Sequence, residues 1–307
     1  MPRKHRRLVR PNILIIGAGA LGKSLAAILA QQALITIYDR NSVITSSLNK
    51  GYLVFKENSR SYQVKVRSVS SLSQLHGEKI DVLIFATKVM DLSRALRDAE
   101  ALDPQCIFFP QNGIFDTHWA KDIFKTAKIC RGVTTMACQE TACDQVTLFY
   151  RGNIYVGGNG AILVAELFRQ CGISAKAYRD PIGSIWAKLI FSAVMNPLPV
   201  MTGQGYDILR KDQETWKLVR QAVKEGRAVA RALGVRLAFD PLGLIHRVRD
   251  GDLAGISHRG TICQDISAGR PTELDFITGA LVRQARKVGV KTPALSSILI
   301  KARMAGA

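Results

Sequence analysis

The chain has 307 residues, 47% apolar and 22% charged, which is the profile of a soluble globular protein long enough for two domains. No uninterrupted apolar run reaches the roughly 18 residues that a membrane span needs, so we expect no membrane partner. The net charge of +19 leaves weak, salt-sensitive nucleic-acid binding open, but the basic residues are scattered beyond the tail Arg3–Arg10 and no nucleic-acid-binding motif accompanies them.

The first predicted element is the apolar strand Asn12–Ile16, which runs directly into the glycine loop Gly17–Gly22. The loop and the following Lys23-Ser24 fit two motifs, the G-x-G-x-x-G of dinucleotide-binding folds and the G-x-x-x-x-G-K-S of nucleoside triphosphatases. In both motifs glycine lets backbone N–H groups approach a phosphate at a helix N-terminus. A tight turn without a ligand is the third interpretation.

The second predicted strand, Leu34–Tyr38, favours the dinucleotide. It ends in Asp39-Arg40, and an acid roughly 20 residues past the glycines is placed to bind a ribose 2′-OH. A nucleoside triphosphatase needs a later strand that ends in aspartate for Mg²⁺, whereas Val82–Phe85 is followed by Ala86-Thr87-Lys88. The loop residues predicted to bind the dinucleotide are Gly17, Gly19, Ala20, Leu21 and Gly22.

Strands and helices continue to alternate after Arg40. The predicted strands are Gly51–Glu57, Tyr62–Ser68, Ile80–Ala86, Cys106–Pro110, Ile129–Thr135, Val146–Tyr150, Ile154–Val156 and Ile173–Ala177, the first two forming a hairpin; the helices are Leu92–Glu100 and Ala161–Cys171. This alternation predicts a mainly parallel, doubly wound α/β sheet.

From about residue 180 the apolar spacing is helical. The candidate helices are Ile185–Met195, Glu214–Leu233, Asp240–Arg249, Ser257–Ala268 and Glu273–Val288. We therefore predict a dinucleotide-binding domain over residues 1–180 and a helical substrate-binding domain over residues 181–307, with the active site in the cleft between them. The helices of the second domain also offer a surface for a homodimer.

The cysteines and the N-terminus bear on the compartment. The six cysteines include no C-x-x-C pair, and with five histidines no metal-site spacing arises, so we expect no metal. The tail Arg3–Arg10 and the apolar stretch after it imitate a secretory signal, but the glycine spacing and Lys23 argue against one. Buried, reduced cysteines and a cytoplasmic location are the expectation.

Six motifs occur together in this chain. They are Gly17–Gly22, Thr87-Lys88, Gln111-Asn112-Gly113, Gly132–Thr135, Trp186–Leu189 with Asn196-Pro197, and Gln264-Asp265 through Gly269–Asp275. In residues, order and separation the chain resembles ketopantoate reductase (2-dehydropantoate 2-reductase) almost from end to end. The glycine loop alone is weakly specific, whereas the W-x-K-L helix followed by Q-D-x₃-G-R-x-T-E-x-D is far more so. The resemblance implies a Rossmann-type domain followed by an all-helical domain like the C-terminal domain of 6-phosphogluconate dehydrogenase.

The resemblance also implies roles for individual residues. Lys188 would stabilise the developing alkoxide and donate its proton, while Glu273 would contact the substrate hydroxyl and hold the lysine. A carboxylate beside Lys188 would keep it charged. Asn112 would lie near nicotinamide and substrate, and Asn196 in the substrate pocket.

Each of these residues has an ordinary structural interpretation as well. Lys188 could cover an apolar helix with its stem, and Glu273 could begin a helix. Asn112 belongs to an Asn-Gly pair typical of tight turns, and Asn196 precedes a proline that could end a helix.

Three positions depart from the family pattern. Ser192 replaces the usual asparagine, Thr261 replaces a serine, and His258 stands where asparagine is frequent. Serine and threonine keep a hydroxyl, but serine has less reach than asparagine. These changes indicate a reshaped substrate site or a different 2-keto acid.

The cofactor preference is mixed. In the family an arginine just past the second strand meets the 2′-phosphate of NADPH; Arg40 occupies that place, and Lys88 matches a second basic residue near the cofactor. Asp39, however, would repel a 2′-phosphate and accept a hydrogen bond from a plain ribose. An aspartate that turns away would reconcile the two. NADP is favoured and NAD stays open.

The sequence thus predicts a cytoplasmic oxidoreductase that reduces the 2-keto acid 2-dehydropantoate to (R)-pantoate with NADPH, in pantothenate and coenzyme A biosynthesis. One alternative is a related D-2-hydroxyacid dehydrogenase that reduces another 2-keto acid with NADH. The other is a non-catalytic dinucleotide-binding protein.

Overall fold

The computed structural model describes residues 10–251 and 260–306. The strands are β1 Asn12–Ile16, β2 Leu34–Tyr38, β3 Leu53–Glu57, β4 Arg60–Val64, β5 Arg67–Val69, β6 Ile80–Phe85, β7 Pro104–Phe109, β8 Lys128–Thr134, β9 Ala137–Ala142, β10 Gln145–Tyr150, β11 Asn153–Gly158 and β12 Ser174–Tyr178. The helices are α1 Ala20–Leu29, α2 Ser42–Lys50, α3 Val89–Asp98, α4 His118–Ile123, α5 Ala161–Gln170, α6 Ile182–Met195, α7 Leu198–Thr202, α8 Ile208–Lys211, α9 Gln213–Ala232, α10 Pro241–Asp250, α11 Gly260–Ser267, α12 Leu274–Lys287 and α13 Pro293–Met304.

Eight strands form the main sheet in the order β12-β11-β8-β7-β6-β1-β2-β5. β1 lies inside it and pairs in parallel with β2 and β6, where Ile15 is in register with Ile37 and Ile84. The buried, almost purely apolar sequence of β1 suits a strand covered on both faces. The chain continues from β1 to β2 and β5 on one side of β1, and later crosses to β6, β7 and β8 on the other side. Because these connections run in opposite directions along the sheet, a crevice opens at the carboxyl end of β1. The predicted doubly wound parallel sheet is confirmed.

The prediction was incomplete at the sheet margins. β11 runs antiparallel to β8 and β12 follows it, so one edge of the main sheet is reversed. The predicted strand Tyr62–Ser68 is two strands, β4 and β5, that belong to different sheets. The predicted hairpin is present as β3 and β4 around Asn58, which adopts the left-handed conformation at φ 53°.

A second sheet of four strands, in the order β4-β3-β10-β9, was not predicted. It packs over α1, which is therefore covered by the main sheet on one side and the small sheet on the other. Every residue from Gly22 to Leu29 is buried. This burial fixes the start of α1 and with it the glycine loop.

All elements after β12 in the described residues are helical, and their apolar faces form one core around α6. The span Ile182–Thr202 is long and apolar enough to cross a membrane by length and composition, but most of it is buried inside the protein. α13 was missed by the sequence analysis; its first N–H groups are satisfied by Glu225 of α9, which accepts from Ala294 and Leu295. The domain boundary at residue 180 stays a prediction.

Candidate active site

A cleft of about 1060 Å³ opens at the carboxyl ends of β1, β2, β6 and β7 and is closed on its far side by α11 and the start of α12. Most of the predicted site residues line it. They are Gly17, Gly19, Ala20, Leu21, Asp39, Arg40, Lys88, Asn112, Thr261 and Glu273. The cleft therefore joins the two halves of the chain in one site.

The protein itself requires glycine at two positions of the loop, and a third glycine faces the cleft. Gly17 has φ +105°, which favours glycine, and its N–H donates to Tyr38 O at 2.8 Å. A Cβ on Gly22 would lie 1.9 Å from Gly17 O, so only glycine fits at the bottom of the turn. A Cβ on Gly19 would meet no protein atom within 4 Å, since this residue faces the cleft as the N-cap of α1. The loop thus presents open backbone to a ligand, which suits a diphosphate.

Asp39 and Arg40 behave differently at the end of β2. The Asp39 carboxylate accepts from Ala18 N at 2.8 Å and from Asn41 N at 2.9 Å, so each oxygen already has a backbone donor. Arg40 is exposed and lies 3.9 Å from Asp91 in a loose ion pair. The acid is part of the glycine loop's support, while the guanidinium is free to meet an incoming group.

Lys23 settles the ambiguity of the glycine motif. Its side chain is fully buried in α1, and Nζ donates to Glu140 Oε1 of β9 at 2.6 Å. The lysine of a triphosphatase loop must reach the phosphates, yet Lys23 points under the small sheet and does not line the cleft. This geometry is incompatible with the triphosphatase interpretation. Lys23 instead joins α1 to a strand whose residues Gln139 and Glu140 line the cleft.

The Lys23–Glu140 pair leads to a stability prediction. Replacing Lys23 with methionine leaves the Glu140 carboxylate without its partner, and we expect a loss of about 2–3 kcal/mol in the free energy of unfolding, at the low end for broken buried pairs because Glu140 is one-third exposed. Urea unfolding measures the loss. Lys217→Met, at an exposed ion pair, is the control and should leave the midpoint unchanged. An unchanged midpoint in Lys23→Met would contradict the prediction.

Three buried amide side chains and one buried hydroxyl without hydrogen-bond partners indicate a polar ligand in the cleft. Among the described residues, Asn112 Oδ1, both amide atoms of Gln111, Thr87 Oγ1 and Gln264 Nε2 are buried without a hydrogen-bond partner. All four residues line the cleft. Buried polar groups normally find partners, so this concentration indicates where a ligand binds. Gln111, Thr87 and Gln264 were not predicted as site residues, although each belongs to one of the six sequence motifs.

Lys188 lies on α6 with only 8% of its surface exposed. Burial lowers its pKa to about 8, and the Cys138 thiol opposes this shift. Nζ lies 4.7 Å from the centre of the Phe191 ring. Burial raises the pKa of Cys138 to about 11, against the opposing effects of Ser24 and of Lys188. Cys138 precedes the cleft residue Gln139 in β9, so Lys188 lies near a strand that borders the cleft but does not itself line the cleft.

Glu273 corrects one expectation. Among the described residues neither a hydrogen bond nor an ion pair joins it to Lys188. It is the N-cap residue of α12, and its Oε1 accepts from Val89 N at the start of α3 at 3.0 Å. Burial raises its pKa, while the Val89 N–H and Lys88 act in the other direction. The predicted carboxylate beside Lys188 is therefore absent from this arrangement, and burial, which lowers the lysine pKa, is the stronger effect.

Lys88 connects the two halves of the chain across the cleft. Its ammonium lies 2.7 Å from Asp265 Oδ2 of α11 and donates to Pro271 O at 2.9 Å. Asp265 also accepts from Arg270 Nε at 3.0 Å. The predicted cofactor residue Lys88 thus already binds groups of the helical region.

The remaining predicted substrate residues do not all lie in the same place. Ser192 is 1% exposed and its Oγ has no partner among the described residues, one helical turn from Lys188. Asn196 is the C-cap residue of α6, and neither it nor Ser192 lines the cleft as it stands. Thr261 is exposed on α11. His258 lies outside the described residues.

Comparison with known proteins identifies the family. The family model described as "Ketopantoate reductase PanE/ApbA" matches residues 13–160, and "Ketopantoate reductase PanE/ApbA C terminal" matches residues 180–304. The chain belongs to the ketopantoate reductase family. Its members' chemistry makes the protein an oxidoreductase that acts on CH–OH groups.

Individual ketopantoate reductases and solved structures are similar over nearly the whole chain. The 2-dehydropantoate 2-reductase of Archaeoglobus fulgidus is 26% identical over 288 residues, 91% of this chain and 92% of that protein. The enzyme of the same name from Pyrococcus abyssi is 25% identical over 289 residues, 92% of this chain and 93% of that one. A solved D-mandelate dehydrogenase with NADH and anilino(oxo)acetate covers 96% of this chain and 98% of its own at 25% identity and a TM-score of 0.84.

The solved PanE/ApbA family ketopantoate reductase from Ralstonia eutropha JMP134 shares the fold. It covers 96% of this chain and 98% of its own, with 23% identity and a TM-score of 0.81. The predicted architecture, a Rossmann-type sheet followed by a helical region, is therefore that of the family.

Proposed function

We propose that this ketopantoate reductase family member reduces 2-dehydropantoate to (R)-pantoate with NADPH. The observation that carries the proposal is Lys188, a buried lysine with its pKa lowered to about 8, near the strand β9 that borders the cleft. A buried lysine with a lowered pKa beside a cleft is a candidate for proton transfer. The names of the curated relatives supply the substrate.

The residues of the cleft fit a nicotinamide dinucleotide. Gly19 leaves space for a diphosphate at the N-terminus of α1, Asp39 and Arg40 flank the place of the adenosine ribose, and Asn112 offers an unpartnered amide oxygen further along. When bound, the nicotinamide ring supplies the hydride that a keto carbon accepts.

The protein's own contribution is to stabilise charge and deliver a proton. Reduction of a ketone places negative charge on its oxygen, and an ammonium removed from water stabilises that charge strongly. With a pKa of about 8, Lys188 is mostly protonated at neutral pH and donates its proton readily. Glu273 and Asn112 border the cleft as hydrogen-bonding groups for the substrate hydroxyl and keto acid, and Ser192, Asn196, Thr261 and His258 are proposed to shape the pocket.

For the cofactor we propose NADPH over NADH. The Asp39 oxygens are taken up by two backbone donors, and the exposed Arg40 has only a loose partner. This is the arrangement in which the aspartate supports the loop and the arginine meets a 2′-phosphate.

Arg40→Ala tests this preference. We expect the KM for NADPH to rise about tenfold, because one charge-assisted contact is lost, and the KM for NADH to stay unchanged. Arg97→Ala, an exposed arginine of α3 outside the cleft, is the matched control. Equal effects of Arg40→Ala on both cofactors would contradict the assignment.

A D-2-hydroxyacid dehydrogenase that uses NADH is the second candidate. Asp91 and Asp98 join Asp39 at this end of the cleft, against the two basic residues Arg40 and Arg94. The similar D-mandelate dehydrogenase structure contains NADH. Three carboxylates beside two guanidiniums give this end of the cleft a net negative charge. This charge disfavours the dianionic 2′-phosphate of NADPH and so favours NADH.

Initial rates of NADPH and NADH oxidation at 340 nm separate the candidates. The purified protein is tested with 2-dehydropantoate and, in parallel, with bulky 2-keto acids such as phenylglyoxylate. A marked preference for 2-dehydropantoate with NADPH is expected. A preference for phenylglyoxylate with NADH would support the second candidate, and no oxidation with any keto acid would overturn the proposed function.

The cellular setting follows from the same proposal. Reduction of 2-dehydropantoate would place the protein in pantothenate and coenzyme A biosynthesis. The cysteines Cys106, Cys130, Cys138, Cys143, Cys171 and Cys263 are all free, which suits a reducing cytoplasm. A homodimer through the helical region remains part of the proposal.

A further inference from the structure

The segment between β7 and α4 contributes two polar side chains with buried atoms to the cleft. Residues 110–117 contain no regular helix or strand. Yet they present both amide atoms of Gln111 and Oδ1 of Asn112, which are buried and unpartnered among the described residues. An irregular segment has no backbone ladder to hold it, so other groups must fix these two side chains.

Arg131, in the neighbouring strand β8, supplies such a support. Its Nη2 donates to Gly113 O at 2.8 Å and its Nη1 to Phe115 O at 2.7 Å. The guanidinium also lies 4.0 Å from the centre of the Phe115 ring. Burial lowers the Arg131 pKa to about 10, against the effect of Asp116, so the group stays cationic at neutral pH. A planar fork that binds two carbonyl oxygens and stacks on a ring fixes orientation as well as distance.

The opposite side of the segment abuts the helical region. Gly113 has φ +93°, and a Cβ there would lie 2.8 Å from Phe276 O, in the first turn of α12. Phe276 follows the site residue Glu273 by three positions. The segment therefore contacts both Arg131 and the helix that begins after Glu273.

We propose that Arg131 is a positioning residue for the reaction, which holds Asn112 in place through the carbonyl oxygens of Gly113 and Phe115. Arg131 does not line the cleft, so it acts through Asn112 and not on the substrate. The catalytic part of this inference rests on the proposed function. Its structural part, the bracing of the segment, does not.

A double-mutant cycle tests the catalytic part. Arg131→Met should lower kcat/KM by about 10- to 100-fold, since a displacement near 1 Å has effects of this size. In an Asn112→Ala background the same change should cost less than about threefold, because the group that Arg131 positions is gone. Arg131→Lys, which keeps the charge but not the fork, should be intermediate and provides the test if Arg131→Met fails to fold. Equal losses in both backgrounds would overturn the inference.

Backbone order parameters test the bracing without any substrate. In the free protein, Arg131→Met or Arg131→Lys should lower the N–H order parameters of residues 111–116 from about 0.85 to below about 0.6 and leave β7 and β8 unchanged. Arg169→Met is the matched control, since Arg169 also donates to a main-chain carbonyl, that of Ala175, away from the cleft. Unchanged order parameters in residues 111–116 would overturn the inference. If the wild-type protein reduces no 2-keto acid, the proposed function fails while this measurement still decides the bracing.

Discussion

Replacing Lys188 with methionine is expected to lower kcat/KM for the keto acid by about 10³-fold, the range typical of a lost general acid. Methionine keeps the volume and the buried stem, so the loss reports the ammonium and not the packing. Binding of NADPH, followed by its fluorescence, should be unchanged. Lys217→Met, on the exposed face of α9, is the matched control and should retain full activity. Near-normal turnover in Lys188→Met would remove the lysine from the mechanism.

The pH profile gives the same residue an independent test. The acid form of Lys188 is required, and it predominates below its pKa of about 8. For the wild-type protein, kcat/KM should therefore be constant at neutral pH and fall about tenfold per unit above pH 8. Lys188→Arg, whose guanidinium stays charged, should lose this alkaline limb whatever its absolute rate. An alkaline limb that persists in Lys188→Arg would assign the titration to another group.

The second large effect is expected at the glycine loop. Gly22→Ala places a Cβ 1.9 Å from Gly17 O, and this backbone cannot yield without opening the turn. We expect a loss of about 3 kcal/mol or more in the free energy of unfolding, together with loss of dinucleotide binding. Urea unfolding and NADPH fluorescence measure the two effects.

Gly19→Ala separates binding from stability at the same loop. Its Cβ meets no protein atom, and its φ of −76° is open to any residue, so the unfolding midpoint should be unchanged. The methyl group would occupy the place of the diphosphate, and the Kd for NADPH should rise at least about tenfold. Normal NADPH affinity in Gly19→Ala would contradict the proposed diphosphate site.

Local signals in the sequence were sufficient for the parallel centre of the main sheet. The apolar runs around Ile15, Ile37 and Ile84 predicted buried strands, and the helices between them predicted parallel pairing. The small sheet was out of reach because its strands pair across long stretches of chain, as between Phe55 and Val146. Periodicity shows that a strand exists but not which partner it finds. α13 was missed although Thr292-Pro293 is a local signal for a helix start; its further support from Glu225 comes from a distant helix.

The site residues were predicted from motifs, and the prediction was incomplete where tertiary contacts determine which groups meet. The motif residues Gly19, Asn112 and Glu273 all line one cleft, and their roles stay predictions. No local pattern shows that Glu273 accepts a hydrogen bond from Val89 N and makes none with Lys188. Nor does a local pattern show that Arg131 donates to two carbonyl oxygens of the earlier segment 110–117. The role of Lys23 was ambiguous for the same reason, since its partner Glu140 lies far along the chain.

Transfer of deuterium from NADPH that carries deuterium at both C4 positions to a 2-keto acid tests the central claim most directly. With 2-dehydropantoate, mass spectrometry should find pantoate that carries one deuterium at C2, formed in step with the loss of absorbance at 340 nm. Unlabelled pantoate, or no pantoate at all from the folded, NADPH-binding protein, would contradict the proposal that this cleft reduces a 2-keto acid.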